Sequence, residues 1–183
     1  MSKKLEKILL LLIKIGLGLT LFTPFIISNT TLFPFVFGKA IAFQILTAIT
    51  LIFYLILILI NAKYFPRFNF KRDNFVFWTV SLYILTLLIT TLTSQDSSLS
   101  FWGTQERMTG VFSLLHFFAY FIILIGVLST KKNWLNLLRA NALVVFIFGI
   151  QLLIKTKFLT LIADRYQGSF GNPDIIGSYL LLA

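Results

Sequence analysis

The sequence has no cysteine, a single histidine (His116), four prolines and six acidic residues among 183. Without cysteine there are no disulfides, no thiolate chemistry and no Cys-based metal sites, and one histidine cannot build a His-rich metal centre. Charge is scarce: 12% of residues carry it, about half of the roughly 25% usual in soluble domains. What fills the chain instead is apolar, with 58% hydrophobic residues, 21 of them Phe, and a mean hydropathy of +0.92. That balance excludes a soluble globular domain, and equally a disordered chain, which needs low hydrophobicity and high charge. The net charge is +10. The basic residues stand in short segments between apolar runs and are not interleaved with aromatics. They therefore read as topology signals and headgroup contacts, and no nucleic-acid motif accompanies them.

Five apolar runs cover residues 9–28, 40–62, 75–94, 109–129 and 134–154, that is 20, 23, 20, 21 and 21 residues. About 20 residues cross ~30 Å of hydrocarbon at 1.5 Å per residue. Length and the lack of strict alternation predict helices rather than strands. The expected fold is an all-α polytopic transmembrane bundle of five complete spans plus the start of a sixth, forming one membrane domain over residues 1–183. The first run resembles a signal peptide after Ser2–Lys7, but it is long and lacks an Ala-x-Ala-like cleavage site, so it reads as a retained anchor. With the N-terminus cytoplasmic, the inner segments hold ten basic residues (Lys3, Lys4, Lys7, Lys63, Arg67, Lys71, Arg72, Lys131, Lys132, Arg139). The outer ones hold five (Lys39, Arg107, Lys155, Lys157, Arg165), and this bias favours N-in. Lys14 and Arg139 are expected to snorkel to the headgroups. Asn172-Pro173-Asp174 reads as a helix start, with Asn as N-cap and Pro in the first helical position. The apolar stretch that follows is too short to span, which predicts that the chain is the N-terminal part of a longer one.

Chemistry concentrates in the outer segments. Arg165-Tyr-Gln-Gly168-Ser-Phe-Gly171-Asn172-Pro173-Asp174 combines two glycines, which let backbone approach a ligand, with a helix N-terminus and a planar cation, both suited to an anion such as a lipid phosphate. Asp174 favours the helix but opposes a bound phosphate. The plainer readings stand beside these: Gly168 and Gly171 as turn glycines, and Arg107 paired with Glu106 or Asp96. His116 reads as an interhelical hydrogen-bonding group, and Lys39 as an anchor of the second helix. Residues 155–162 carry apolar positions at helical spacing that would lie in the headgroup plane. Asp96 and Glu106 share one loop and define no paired-carboxylate geometry.

Three motifs together resemble a known family: Phe33-Pro-Phe-Val-Phe-Gly-Lys39, Phe101-Trp-Gly-Thr-Gln-Glu-Arg-Met-Thr-Gly110 and the Arg165–Asp174 stretch. The chain is similar over its whole length to the N-terminal part of the O-antigen ligase superfamily, which includes O-antigen polymerases and protein O-oligosaccharyltransferases. The resemblance implies a membrane glycosyltransferase that moves a saccharide from an undecaprenyl-pyrophosphate carrier to a glycan, lipid or protein acceptor. The transfer takes place on the outer face of the bacterial plasma membrane, and no cofactor or metal is indicated. By position Arg165 matches the arginine of the family's Arg-x-x-Gly…Gly-Asn-Pro motif, implying contact with the pyrophosphate, and Arg107 and Lys39 are implied as further members of that site. Where the family commonly has Asn, this chain has Asp174. The family's long outer loop and its catalytic residues would lie beyond Ala183, so the chain alone is expected to be inactive. Two other functions stay open: a transporter or flippase lined by Gln44, His116 and Gln151, and a non-catalytic membrane subunit.

Overall fold

The computed structural model describes residues 3–28, 31–66, 75–104, 106–159, 170–171 and 173–182. Among these there is no strand. Seven α-helices follow in order: α1 Lys3–Thr20, α2 Phe37–Ile60, α3 Phe75–Leu92, α4 Ser97–Trp102, α5 Val111–Val127, α6 Lys131–Leu159 and α7 Pro173–Leu182. Four helical stretches are long and apolar enough to cross a membrane: Lys3–Phe25, Phe37–Ile60, Phe75–Leu92 and Lys131–Ile154. Only 11–28% of the residues in these windows are buried inside the protein. Most of their Leu, Ile and Phe surface therefore faces outward, an arrangement stable in lipid and costly in water.

The fourth apolar run yields a shorter helix than its sequence predicts. α5 has 17 residues, about 26 Å at 1.5 Å per residue, because Gly110 stands as its N-cap and Leu128 leaves helical geometry at its end. Other boundaries move for similarly local reasons. The first helix starts at Lys3 rather than Leu9 and ends at Thr20, where a 3₁₀ turn at Thr23–Phe25 carries Pro24 in its first positions. The outer segment 95–108, expected as a loop, contains α4, whose free Leu99 N–H is capped by Asp96 at 2.8 Å.

The core is narrow. Leu9, Ile13 and Leu17, four residues apart on one stripe of α1, pack with Tyr54 and Leu57 of α2 and Ile123 and Val127 of α5. In lipid such contacts depend on close approach rather than on hydrophobic transfer, which places small residues at helix crossings. Gly16 abuts Thr50, and Gly126 abuts the Tyr54 ring so closely that a Cβ at either would overlap the facing side chain. Tyr54 donates its hydroxyl to Tyr64 O at 2.9 Å.

Loops segregate to two ends of the bundle. At one end the start of α1 meets the turn after α2: Glu6 accepts from Lys63 Nζ at 2.7 Å, Tyr64 Oη at 2.8 Å and Asn61 Nδ2 at 3.3 Å. The Glu6 carboxylate holds the Lys63 ammonium above the usual lysine range, chiefly through that hydrogen bond. At this same end Lys14 reaches across to Asn133 near the start of α6, at 3.2 Å, rather than only along its own helix. The other end gathers residues of the first two sequence motifs and, from the third, Phe170 and Gly171.

Candidate functional site

Each motif at that end has a local reason for its shape. Gly103 terminates α4 with φ 78° and ψ −179°, backbone that is essentially reserved for glycine. A Cβ there would lie 2.5 Å from Gly110 N, and a Cβ at Gly110 would run into the backbone of residues 101–103. The two glycines thus pinch the chain into a closed loop. Inside it, Met108 adopts φ 50° and donates its N–H to Thr104 O at 2.8 Å. The loop is fastened to α5 by the rings of Phe101 and Trp102, whose centroids lie 5.9 and 5.0 Å from Phe112.

The first motif enters α2 with Lys39 half-buried. Its ammonium donates to Phe35 O at 2.9 Å and stands 4.5 Å above the ring of Phe170, which belongs to the third motif. Phe170 itself packs on Phe148 of α6 at 5.6 Å and on Tyr179 of α7 at 5.3 Å. Gly171, at φ 68°, lies against the Phe35 ring, where a Cβ would come within 2.5 Å. The first and third motifs are therefore in direct contact through Phe35–Gly171 and Lys39–Phe170.

These contacts border a half-open cavity of about 370 Å³, within the range of small-molecule sites. Lys39 and Arg107 both line it, with Phe35, Phe43, Phe117, Phe170 and Ile175 as apolar walls. Gln44 and Ser113 add polar groups: Gln44 Nε2 donates to Ser113 Oγ at 3.0 Å, and Ser113 Oγ donates to Met108 O at 2.5 Å. A second cavity of about 400 Å³, bounded by Phe33, Phe37, Trp102 and Thr104, shares Met108 as a wall. Among the described residues no carboxylate lines either cavity. Two cations facing an apolar chamber suit an amphiphile with an anionic head.

The structure thus brings Lys39 and Arg107 to one cavity and sets Gly171 against its wall. Pro173 opens α7, as its position predicts. Asp174 is exposed and is not among the lining residues, although its neighbour Ile175 is. Arg165, Gly168 and Asn172 lie outside the described residues. Among the described residues Arg107 makes no ion pair with Glu106 or Asp96; Asp96 caps α4 instead. His116 bonds within its own helix, Nδ1 lying 2.8 Å from Phe112 O, rather than between helices. Among the described residues no group of His, Asp or Glu could hold a metal ion. Sequence reasoning missed Phe35 and Phe170 as the contact between motifs and the Gln44–Ser113–Met108 chain of hydrogen bonds. The only signal for the latter was a glutamine inside an apolar run. Comparison of the chain with protein-family models, with curated proteins and with solved structures finds no match.

Proposed function

We propose that the chain belongs to an O-antigen-ligase-like glycosyltransferase of the bacterial plasma membrane. In this reading it has five complete spans and the start of a sixth, its N-terminus is cytoplasmic, and the cavity faces the outer leaflet. There the protein takes an undecaprenyl-pyrophosphate-linked saccharide and passes the sugar to a glycan, lipid or protein acceptor. The observation that carries the reading is the convergence of Lys39, Arg107, Phe170 and Ile175 on one largely apolar cavity. Pyrophosphate leaves well when its charge is neutralised as the glycosidic bond breaks, and fixed cations shielded from bulk water do that efficiently. The apolar walls would take the first isoprene units. Lys39, already bonded to Phe35 O and stacked on Phe170, would position the third motif as well as contribute charge.

The test uses the chain in lipid nanodiscs with a photoactivatable undecaprenyl pyrophosphate. Crosslinks are expected on the cavity walls. Arg107→Ala and Arg165→Ala should each lower labelling about ten-fold, the equivalent of one lost charge-assisted hydrogen bond. Unchanged labelling in both variants, or label confined to the Glu6–Lys63 end, refutes the proposal.

A further inference from the structure

The opposite end of the bundle holds a further cavity, more polar than the two above and separate from them. It occupies about 170 Å³ between α1 and α6, lined by Lys14 and Gly18 on one side and Asn133, Asn136, Leu137 and Ala140 on the other. Lys14 lies within the apolar stretch Lys3–Phe25, long enough to cross a membrane, and its side chain is exposed with the ammonium turned to the cavity. A charge in that position needs a counter-charge or a route to water. The protein supplies a neutral amide oxygen, Asn133 Oδ1 at 3.2 Å. Among the described residues no carboxylate pairs with Lys14, the ion pair there being Lys63–Glu6, and the sequence has no acidic residue from Arg107 through Ala163. Lys131 and Lys132, exposed at the start of α6, precede the lining residue Asn133 and add positive charge to that segment.

We infer that this cavity binds the phosphate of an anionic phospholipid of the phosphatidylglycerol kind, held between Lys14 and the amides of Asn133 and Asn136. The donors are in place. Asn133 gives its oxygen to Lys14, which leaves its NH₂ to donate, and the ammonium has further N–H groups to give. Leu17, Leu137 and Ala140 offer the apolar flank that an acyl chain requires and a free ion does not. Basic pockets between transmembrane helices are a recurrent means of holding anionic headgroups. The bound lipid has a structural consequence. Most described side chains of α6 are exposed, Val144 and Phe148 being the buried ones. A phosphate bridging Lys14 and the two asparagines fastens this helix to α1.

The experiment measures quenching of Trp134, adjacent to Asn133, by brominated phosphatidylglycerol against brominated phosphatidylcholine in vesicles containing the whole chain. Trp78 and Trp102 are replaced by Phe so that one reporter remains. The parent should prefer phosphatidylglycerol about five-fold, the preference expected of one basic residue at an anionic surface. Lys14→Leu, which puts an apolar side chain where lipid already lies, should bring the preference close to parity, and Lys14→Arg should keep it. The inference is overturned if the parent shows no preference or if Lys14→Leu keeps the parent value. It is also overturned if only Lys131→Ala/Lys132→Ala removes the preference, or if inorganic phosphate displaces the lipid, which would mark a free-ion site.

Discussion

Substituting Gly103 by alanine tests the architecture of the candidate site most directly. The residue sits at φ 78° and ψ −179°, where a side chain costs roughly 1–3 kcal/mol. The new Cβ would also stand 2.5 Å from Gly110 N and 3.0 Å from Thr109 N. Those neighbours are backbone, so a displacement of the overpacking kind adds about 1–3 kcal/mol. The loop is fastened to α5 by the Phe101 and Trp102 rings and by the Ser113–Met108 hydrogen bond, and the residues between can relieve part of the clash by opening. A net loss of about 3 kcal/mol is expected, roughly a hundred-fold shift toward an open loop. Because the chain has no native cysteine, Ser113→Cys introduces a single thiol at a buried position beside Met108 of the loop. In that background Gly103→Ala should speed modification by a water-soluble maleimide and lower the thermal unfolding midpoint in detergent. Gly149→Ala, where a Cβ meets nothing within 4 Å, serves as the control and should change stability by no more than about 1 kcal/mol. If Gly103→Ala labels and melts like its parent, the pinch between the two glycines does not hold the loop.

Three further outcomes follow from particular contacts. Ser113→Ala removes the hydroxyl that donates to Met108 O. It should cost about 1 kcal/mol and weaken carrier binding in the crosslinking assay while leaving the Glu6–Lys63 end unchanged. Tyr54→Phe loses the hydrogen bond to Tyr64 O without making a cavity, so its unfolding free energy in mixed micelles should fall by about 1 kcal/mol, not by the several expected of Tyr54→Ala. Lys63 has its pKa raised by Glu6, so its contribution is complete below the ordinary lysine value and is lost as pH rises through the raised one. The stability difference between the parent and Lys63→Met should therefore stay constant from about pH 7 to 9 and shrink only in stronger alkali. A difference that changes across the neutral range would contradict the assigned pairing.

Much of the fold is legible in the sequence because membrane crossing depends on a local quantity, the length of an apolar run set against the thickness of hydrocarbon. Runs 9–28, 40–62, 75–94 and 134–154 correspond to the four long apolar helices, and the start of α7 at Pro173 follows from proline's fixed φ and missing N–H. The ends of helices were less legible. Pro24 stops α1 early, and Gly110 and Leu128 shorten α5. α4 leaves little trace in the sequence because six residues give no periodic signal, although Asp96 before two serines is an N-cap pattern.

The sequence by itself determined that this chain is helical, that its surface is suited to lipid, and that polar chemistry gathers in the segments joining its apolar runs. Only the tertiary structure decided which of those polar groups meet. Lys39 and Arg107 face one cavity because Gly103 closes on Gly110 and Phe35 lies on Gly171. Lys14 turns to Asn133 because the fold brings the start of α6 within reach of its side chain. His116, which its sequence position offers equally to a neighbour, spends its nitrogen on its own helix. Helix formation is governed by residues a few positions apart, whereas a site is governed by distance in space, and no periodicity in the chain encodes that.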